Sequence, residues 1–209
     1  MKYDAVIFDL DGTLLQSTSG DLSWMKEAVA RALDEEGFEV PEDGIFDLTG
    51  VRGDEKFAEA CKEIGADPEK LWPVVEKERM KGKKELIESG RLELKDGARD
   101  VLEFIHSQDV KASIISNSPD LTVDLVVEEF GLKKYLHYFR GITTFEDLSR
   151  RKPDPVHVDY ALAELHCENP LFVGDSEADD VAAQREGLED VIIGRDVESI
   201  SDVKGSLDQ

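Results

Sequence analysis

Cysteine is nearly absent from this 209-residue chain, with only Cys61 and Cys167 present, far apart and without CxxC spacing. That excludes a disulfide scaffold or a thiolate zinc site and makes a reducing cytoplasm the expected compartment. No apolar run approaches the ~20 residues of a membrane-spanning helix. Met1-Lys2-Tyr3-Asp4 leads straight into a strand pattern, so no signal peptide is expected either. Basic residues are outnumbered, 25 Lys and Arg against 48 Asp and Glu, for a formal net charge of −23. Such a field repels nucleic acid and anionic membranes and removes both as expected partners. The acidic coat fits an ordinary soluble protein. It also fits adaptation to high salt, where screening makes self-repulsion tolerable, although lysine is well represented. No internal repeat or low-complexity tract is apparent.

Apolar residues make up 40% of the chain, enough for a proper core. Ala5-Val6-Ile7-Phe8 is a short apolar run that reads as a buried parallel strand. Similar runs occur at Val110 to Ile115, Leu171 to Val173 and Val191 to Ile193, with Gly141 to Thr144 as a weaker fifth. Helical patterns lie at Ala98 to His106, Leu121 to Phe130, Val156 to Leu165 and Ala178 to Glu186. This alternation predicts an α/β fold with a doubly wound parallel sheet of right-handed βαβ units. The segment from Gln16 to Leu94 breaks the rhythm. It shows no convincing strand and three helical stretches, Trp24 to Leu33, Glu55 to Ile64 and Pro68 to Ile87. The expected organisation is an α/β core of residues 1–15 and 95–209 with an all-helical cap of residues 16–94 inserted between them.

Polar residues follow four of the apolar runs: Asp9 and Asp11 after the first, Ser116-Asn117 after the second, Lys152 after the weak one, and Asp175 and Asp179 after Leu171 to Val173. In open parallel sheets ligands bind at the carboxyl ends of the strands, so these groups are expected to converge. Asp9, Asp175 and Asp179 in one cleft would repel without a cation. Oxygen-only ligands suit Mg²⁺. Arg150-Arg151-Lys152 stands out as a basic run in so acidic a chain.

Phe8-Asp9-Leu10-Asp11-Gly12-Thr13-Leu14 resembles the DxDGT motif of the haloacid dehalogenase-like superfamily. Ser116-Asn117, Lys152-Pro153 and Gly174-Asp175-Ser176-Glu177-Ala178-Asp179 resemble its second, third and fourth motifs, in order and across nearly the whole chain. The resemblance extends to the phosphoglycolate phosphatase-like and β-phosphoglucomutase-like members with a helical cap. It implies a Rossmann-like core and a Mg²⁺-dependent phosphatase acting on a small phosphorylated metabolite through an aspartyl phosphate, with a phosphoglycolate-like acid as one substrate. Asp9 would be the nucleophile and Asp11 the general acid and base; dehalogenase members lack an acid at that position. Lys152 would offset charge on the phosphate and on Asp9. Ser116 and the Asn117 amide would hold phosphate oxygens, with Thr13 completing the cradle. Asp9, Asp175, Asp179 and the Asp11 carbonyl would bind or support Mg²⁺. Thr49-Gly50-Val51-Arg52-Gly53 resembles a cap specificity loop, which would bring Arg52 over the substrate's distal end. Three alternatives stay open: a phosphosugar mutase of the β-phosphoglucomutase type, a 2-haloacid dehalogenase, and a non-catalytic binding protein on the same fold; the expected assembly is a monomer or a homodimer. His106, His137, His157 and His166 match no motif, and Arg150 and Arg151 match none either.

Overall fold

The structure, a computed structural model, describes residues 1–18, 20–41 and 43–207. Its centre is strand β1 (Ala5–Phe8), whose four apolar side chains are all buried because the strand is covered on both faces. The edge of the DxDGT turn is β2 (Leu15–Ser17). Helices α1 (Ser23–Glu36), α2 (Asp54–Ile64) and α3 (Pro68–Glu88) follow, then β3 (Leu92–Leu94) and α4 (Ala98–Ser107). From there strand and helix alternate: β4 (Lys111–Pro119), α5 (Asp120–Glu129), β5 (Tyr138–Ile142), α6 (Val156–Leu165), β6 (Pro170–Gly174), α7 (Glu177–Arg185), β7 (Glu189–Ile192) and the short α8 (Val203–Leu207).

The main sheet has the order β5-β4-β1-β6-β7 and every pairing in it is parallel. Alternation along β1 divides the core into two layers, as period-two side chains must. Val6 and Phe8 pack with α4, α5 and α8 through Val101, Leu102, Val123, Val126, Val203 and Leu207. Ala5 and Ile7 pack with α6 and α7 through Val158, Ala161, Ala182 and Ala183. Each fully buried large side chain contributes roughly 1.5–3 kcal/mol. The expected parallel α/β sheet is present.

Helices α1 to α3 build a second apolar centre around Leu33, Phe57, Leu71, Trp72 and Val75, which Ile142 of β5 and Leu148 complete from the other part of the chain. The Phe57 and Trp72 rings meet edge to face, 5.6 Å apart at 84°. Asp67 caps α3 by accepting from the Glu69 N–H, with Pro68 in the first turn.

Two expectations are corrected. The segment Gln16 to Leu94 is not strand-free at its ends: β2 and β3 pair antiparallel, Leu15 opposite Leu94 and Ser17 opposite Leu92. Three-residue strands are too short to show a period in sequence, and this ribbon joins helices α1–α3 to the rest. The fifth strand is Tyr138–Ile142 rather than Gly141 to Thr144. Its aromatic and arginine side chains are only partly covered at the sheet edge, so no continuous apolar run marks it. No helix among the described residues is long and apolar enough to cross a membrane.

Candidate active site

Strand β1 sits where the chain order reverses, between β4 and β6, the switch point at which a crevice opens beyond the carboxyl ends of parallel strands. A cleft of about 460 Å³ lies there, lined by Asp9, Asp11, Ser116, Asn117, Lys152, Asp175 and Asp179 among others. That volume is in the range of small-molecule sites.

Asp9 follows β1 directly, and its backbone N–H still donates to the Val173 carbonyl at 2.9 Å, which aims the side chain across the sheet end. Lys152 Nζ donates at 2.6 Å to Asp9 Oδ1 and at 2.6 Å to Asp179 Oδ1. All three residues are buried. Burial pushes the Asp9 carboxyl up, and the Asp179 charge adds to this against the Lys152 ammonium, to about 7. Burial by itself would lower the Lys152 ammonium, but the two carboxylates outweigh it and hold it charged. Asp179 is likewise held low, against the effect of burial, by Lys152 and by the N–H and O–H groups of the α7 capping box. In that box Ser176 Oγ donates at 2.6 Å to Asp179 Oδ2, and the Ser176 N–H donates to the same oxygen at 3.1 Å. Both oxygens of Asp179 are thus engaged.

Asp175 is the exposed member of the acidic group. Oxygens of Asp9, Asp175 and Asp179 lie within 4.8 Å of one another. Burial and the Asp179 charge raise Asp175 as well. A hard cation would relieve this repulsion and bring Asp9 to its ionised form, and the all-oxygen donor set fits Mg²⁺. Thr13 is fully buried and its hydroxyl donates to Asp175 Oδ1 at 3.2 Å, so it orients a carboxylate rather than lining the cleft. Gly12 is dictated by this packing. Its φ is +94°, and a Cβ there would stand 2.1 Å from Asp175 Oδ2.

Asp11 occupies the opposite wall. Lys83 Nζ, from α3, donates to its Oδ1 at 2.6 Å, and Ser118 Oγ donates to its Oδ2 at 2.6 Å. Burial would raise Asp11, but Lys83, Ser118 and the more distant Arg79 hold the carboxyl below its ordinary range. Ser116 is buried beside the cleft and its Oγ accepts from the Ser118 N–H at 3.0 Å. The Asn117 side chain clasps the Lys152 backbone: its Nδ2 donates to the Lys152 carbonyl at 3.0 Å and its Oδ1 accepts from the Lys152 N–H at 2.8 Å.

The structure therefore gathers Asp9, Asp11, Ser116, Asn117, Lys152, Asp175 and Asp179 in one place. It does not bring Arg52 there. Arg52 Nη1 pairs with Asp47 at 2.9 Å and its guanidinium covers the Phe46 ring, with the side chain 59% exposed. Gly50 and Gly53 flank a turn that points residue 52 outward, which sequence alone does not reveal. Sequence reasoning also passed over Lys83, Arg79 and Ser118. The signal existed: in α3 the apolar stripe of Leu71, Trp72, Val75 and Leu86 is interrupted on its own face by Arg79 and Lys83, both buried. Charges on the buried stripe of a helix need a polar destination.

The family model for haloacid dehalogenase-like hydrolases matches residues 6–193. A phosphoglycolate phosphatase of Cereibacter sphaeroides is 31% identical over 186 residues, 88% of this chain and 81% of its own. The phosphoglycolate phosphatase of Vibrio cholerae is 29% identical over 189 residues, 87% and 80% of the two chains. Among solved structures, CbbY of Rhodobacter sphaeroides in complex with phosphate superposes with a TM-score of 0.71 over 99% of this chain and 100% of that one. At 16% identity it speaks for the fold alone.

Proposed function

From its membership of the haloacid dehalogenase-like hydrolase family and its kinship with phosphoric monoester hydrolases, we propose that this chain hydrolyses a small phosphomonoester through an aspartyl phosphate on Asp9. The relatives make a phosphoglycolate-like acid the leading substrate. The observation that carries the reading is the Lys152 ammonium set between Asp9 and Asp179 at 2.6 Å from each, at the cleft that Asp11 faces from the other side.

In this reading an Asp9 oxygen forms a bond to phosphorus as the ester P–O bond breaks, which is nucleophilic catalysis. Asp11, ionised in the free protein, takes up a proton as the anionic phosphate enters beside it and gives that proton to the departing alkoxide. It then takes one from the water that attacks the aspartyl phosphate, releasing inorganic phosphate and restoring Asp9. Lys152 offsets the charge that builds on the phosphoryl oxygens. Ser116 and the Asn117 amide orient those oxygens, while the Asn117 side chain fixes the Lys152 backbone. Mg²⁺ would be held by Asp9, Asp175 and the Asp11 carbonyl with Asp179 in support. When bound it would supply the positive charge that lets an anionic nucleophile approach an anionic phosphate. Helices α1 and α3 wall the cleft through Trp24, Met25, Arg79, Lys83 and Leu86.

Phosphate release from a panel of esters, with Mg²⁺ or EDTA and with wild type or Asp9→Asn, tests the reading. Metal-dependent release abolished in Asp9→Asn is expected. Sugar phosphates that isomerise without releasing phosphate would replace it with the mutase reading. A folded protein inert towards every ester would refute it.

A further inference from the structure

Arg79, Lys83 and Leu86 follow one another at i, i+4 and i+7 along α3, and all three line the cleft. The cleft wall therefore changes from charged to apolar as the helix runs towards β3. Asp11, which faces the leaving group in the proposed reaction, is held by Lys83 in the middle of that face. The residue before Lys83 is Gly82, and the Trp24 ring of α1 lies against it: a Cβ at Gly82 would stand 3.0 Å from Trp24 Cε3. Trp24 and Met25 are partly exposed at the cleft, Leu22 beside them is 49% exposed, and the buried Leu86 and Leu92 line the same space.

Leu22 does nothing for the helix it precedes. It holds the N-cap position of α1 without a side-chain hydrogen bond, and the Ser23 N–H is satisfied by Asp21 instead, at 2.8 Å. Large apolar side chains exposed among the described residues are Met1, Leu22, Val40 and Leu121, and of these Leu22 alone lines the cleft. A local rule broken at the edge of a cleft, in favour of an exposed apolar group, marks a contact surface.

Charge selects the kind of contact. Asp21, which adjoins Leu22, also lines the cleft, and the cations there are Arg79, Lys83, Arg151 and Lys152. Lys83 and Lys152 are tied to Asp11 and Asp9, while Arg79 and Arg151 donate to the Thr49 and Gly50 carbonyls of the loop before α2. An anionic group laid against Leu22 and Trp24 would meet the Asp21 carboxylate, whereas a neutral apolar group gains by leaving water. The cleft, about 460 Å³, has room for a ligand well beyond a two-carbon acid.

We propose that Leu22, Trp24 and Met25 form an apolar subsite on the Asp11 side of the cleft, so that the chain takes phosphomonoesters whose alcohol carries an apolar group, alkyl or aryl. The inference rests on the phosphatase reading for the phosphoryl end. At the leaving-group end it goes beyond that reading and beyond the acid that the relatives suggest.

Binding, which requires no turnover, separates the two. The probes are non-hydrolysable phosphonates of equal charge, titrated calorimetrically with Mg²⁺ present: methylphosphonate, butylphosphonate and benzylphosphonate. Each fully buried methylene is worth about fourfold in affinity, so the three that butyl adds would give about sixtyfold. Because the wall is partly open, wild type is expected to bind at least one of the larger two about tenfold or more tightly than methylphosphonate. Whichever is tighter identifies an alkyl or an aryl group. That ratio should fall below about threefold in Trp24→Ala, stay nearer wild type in Trp24→Phe, and fall partway in Leu22→Ser. Serine is a favoured N-cap residue, so Leu22→Ser keeps the fold and decides alone if circular dichroism shows Trp24→Ala unfolded. A ratio near one in wild type, no detectable binding of the larger phosphonates, or a ratio that survives the folded variants would overturn the subsite, even in a protein that hydrolyses esters. The expected ratios in a protein that hydrolyses no ester would leave the subsite standing and remove the phosphatase reading.

Discussion

Lys83→Met removes the cation of α3 that donates directly to Asp11. The lost interaction is a 2.6 Å charge-assisted hydrogen bond between a buried ammonium and a carboxylate whose side chain is 42% exposed, leaving Asp11 with Ser118 alone. Hydrogen bonds to charged groups contribute roughly 1.5–3 kcal/mol, or about ten- to a hundredfold in rate when the interaction is fully expressed in the transition state. Partial exposure of Asp11 argues for the lower end. The loss should depend on the leaving group. An alkyl phosphate needs a proton from a well-placed Asp11 as its P–O bond breaks, whereas p-nitrophenolate leaves without one. The quantity to compare is kcat/KM, which covers only the steps through formation of the aspartyl phosphate and excludes the later attack of water. The expected result is a loss of about tenfold or more for the alkyl ester and less than about threefold for p-nitrophenyl phosphate. Equal losses on both would mean that Lys83 acts as a general attractor of anions, and would refute the argument that it positions Asp11.

Asn117→Ala cuts both hydrogen bonds to the Lys152 backbone; at about 1 kcal/mol each, kcat should fall roughly ten- to thirtyfold with KM little changed, and a fall below about threefold would show Lys152 to be held by other contacts. Gly12→Ala drives a Cβ into Asp175 at a backbone φ of +94°, so Mg²⁺ activation should require much more metal, read from the metal concentration for half-maximal activity. His157 is buried with neither ring nitrogen bonded, and burial depresses it from 6.5 to about 4. Because the unfolded chain binds the proton more readily, this contribution to stability is fully present above pH 6.5. It is lost as pH falls towards 4, by up to ~3 kcal/mol at 1.36 kcal/mol per pH unit. Urea unfolding across that window should show the slope shrink by one proton in His157→Leu, and an unchanged slope would contradict the assignment.

The core was legible because its signals are local. A four-residue apolar run such as Ala5–Phe8 is too short for a helix and reads as a strand buried on both faces, and four of the five runs are followed by a polar residue that lines the crevice. Helix stops at Gly131 and Gly187, with φ of +60° and +70°, are equally local. What escaped depends on where distant segments meet. The β2–β3 ribbon pairs residues some eighty positions apart, and nothing in Leu15-Gln16-Ser17 alone announces its partner. Arg52 carried the right residue type in the right kind of loop, but the direction of one side chain is set by the turn and by Asp47, five residues back. Asn117 was read through its backbone amide, whereas its side chain reaches Lys152, thirty-five residues on.

The cleft also answers how so acidic a chain can receive an anion. With a net charge of −23 the molecule repels phosphate at long range, but that field comes mostly from solvated carboxylates and is screened beyond ~10 Å at 0.1 M salt. Lys152, Lys83, Arg79 and Arg151 all line the cleft, the first three buried, where attraction acts at contact distance and at lower effective dielectric. Two of them are tied to the carboxylates proposed as nucleophile and general acid, Lys152 to Asp9 and Lys83 to Asp11, so they set the charge of those groups as well as adding positive charge to the cleft. Lys83 and Arg79 come from α3, Lys152 and Arg151 from the segment before α6. Neither half alone presents the full set of cations. Helix α3 is therefore part of the charge balance of the site as well as of its wall.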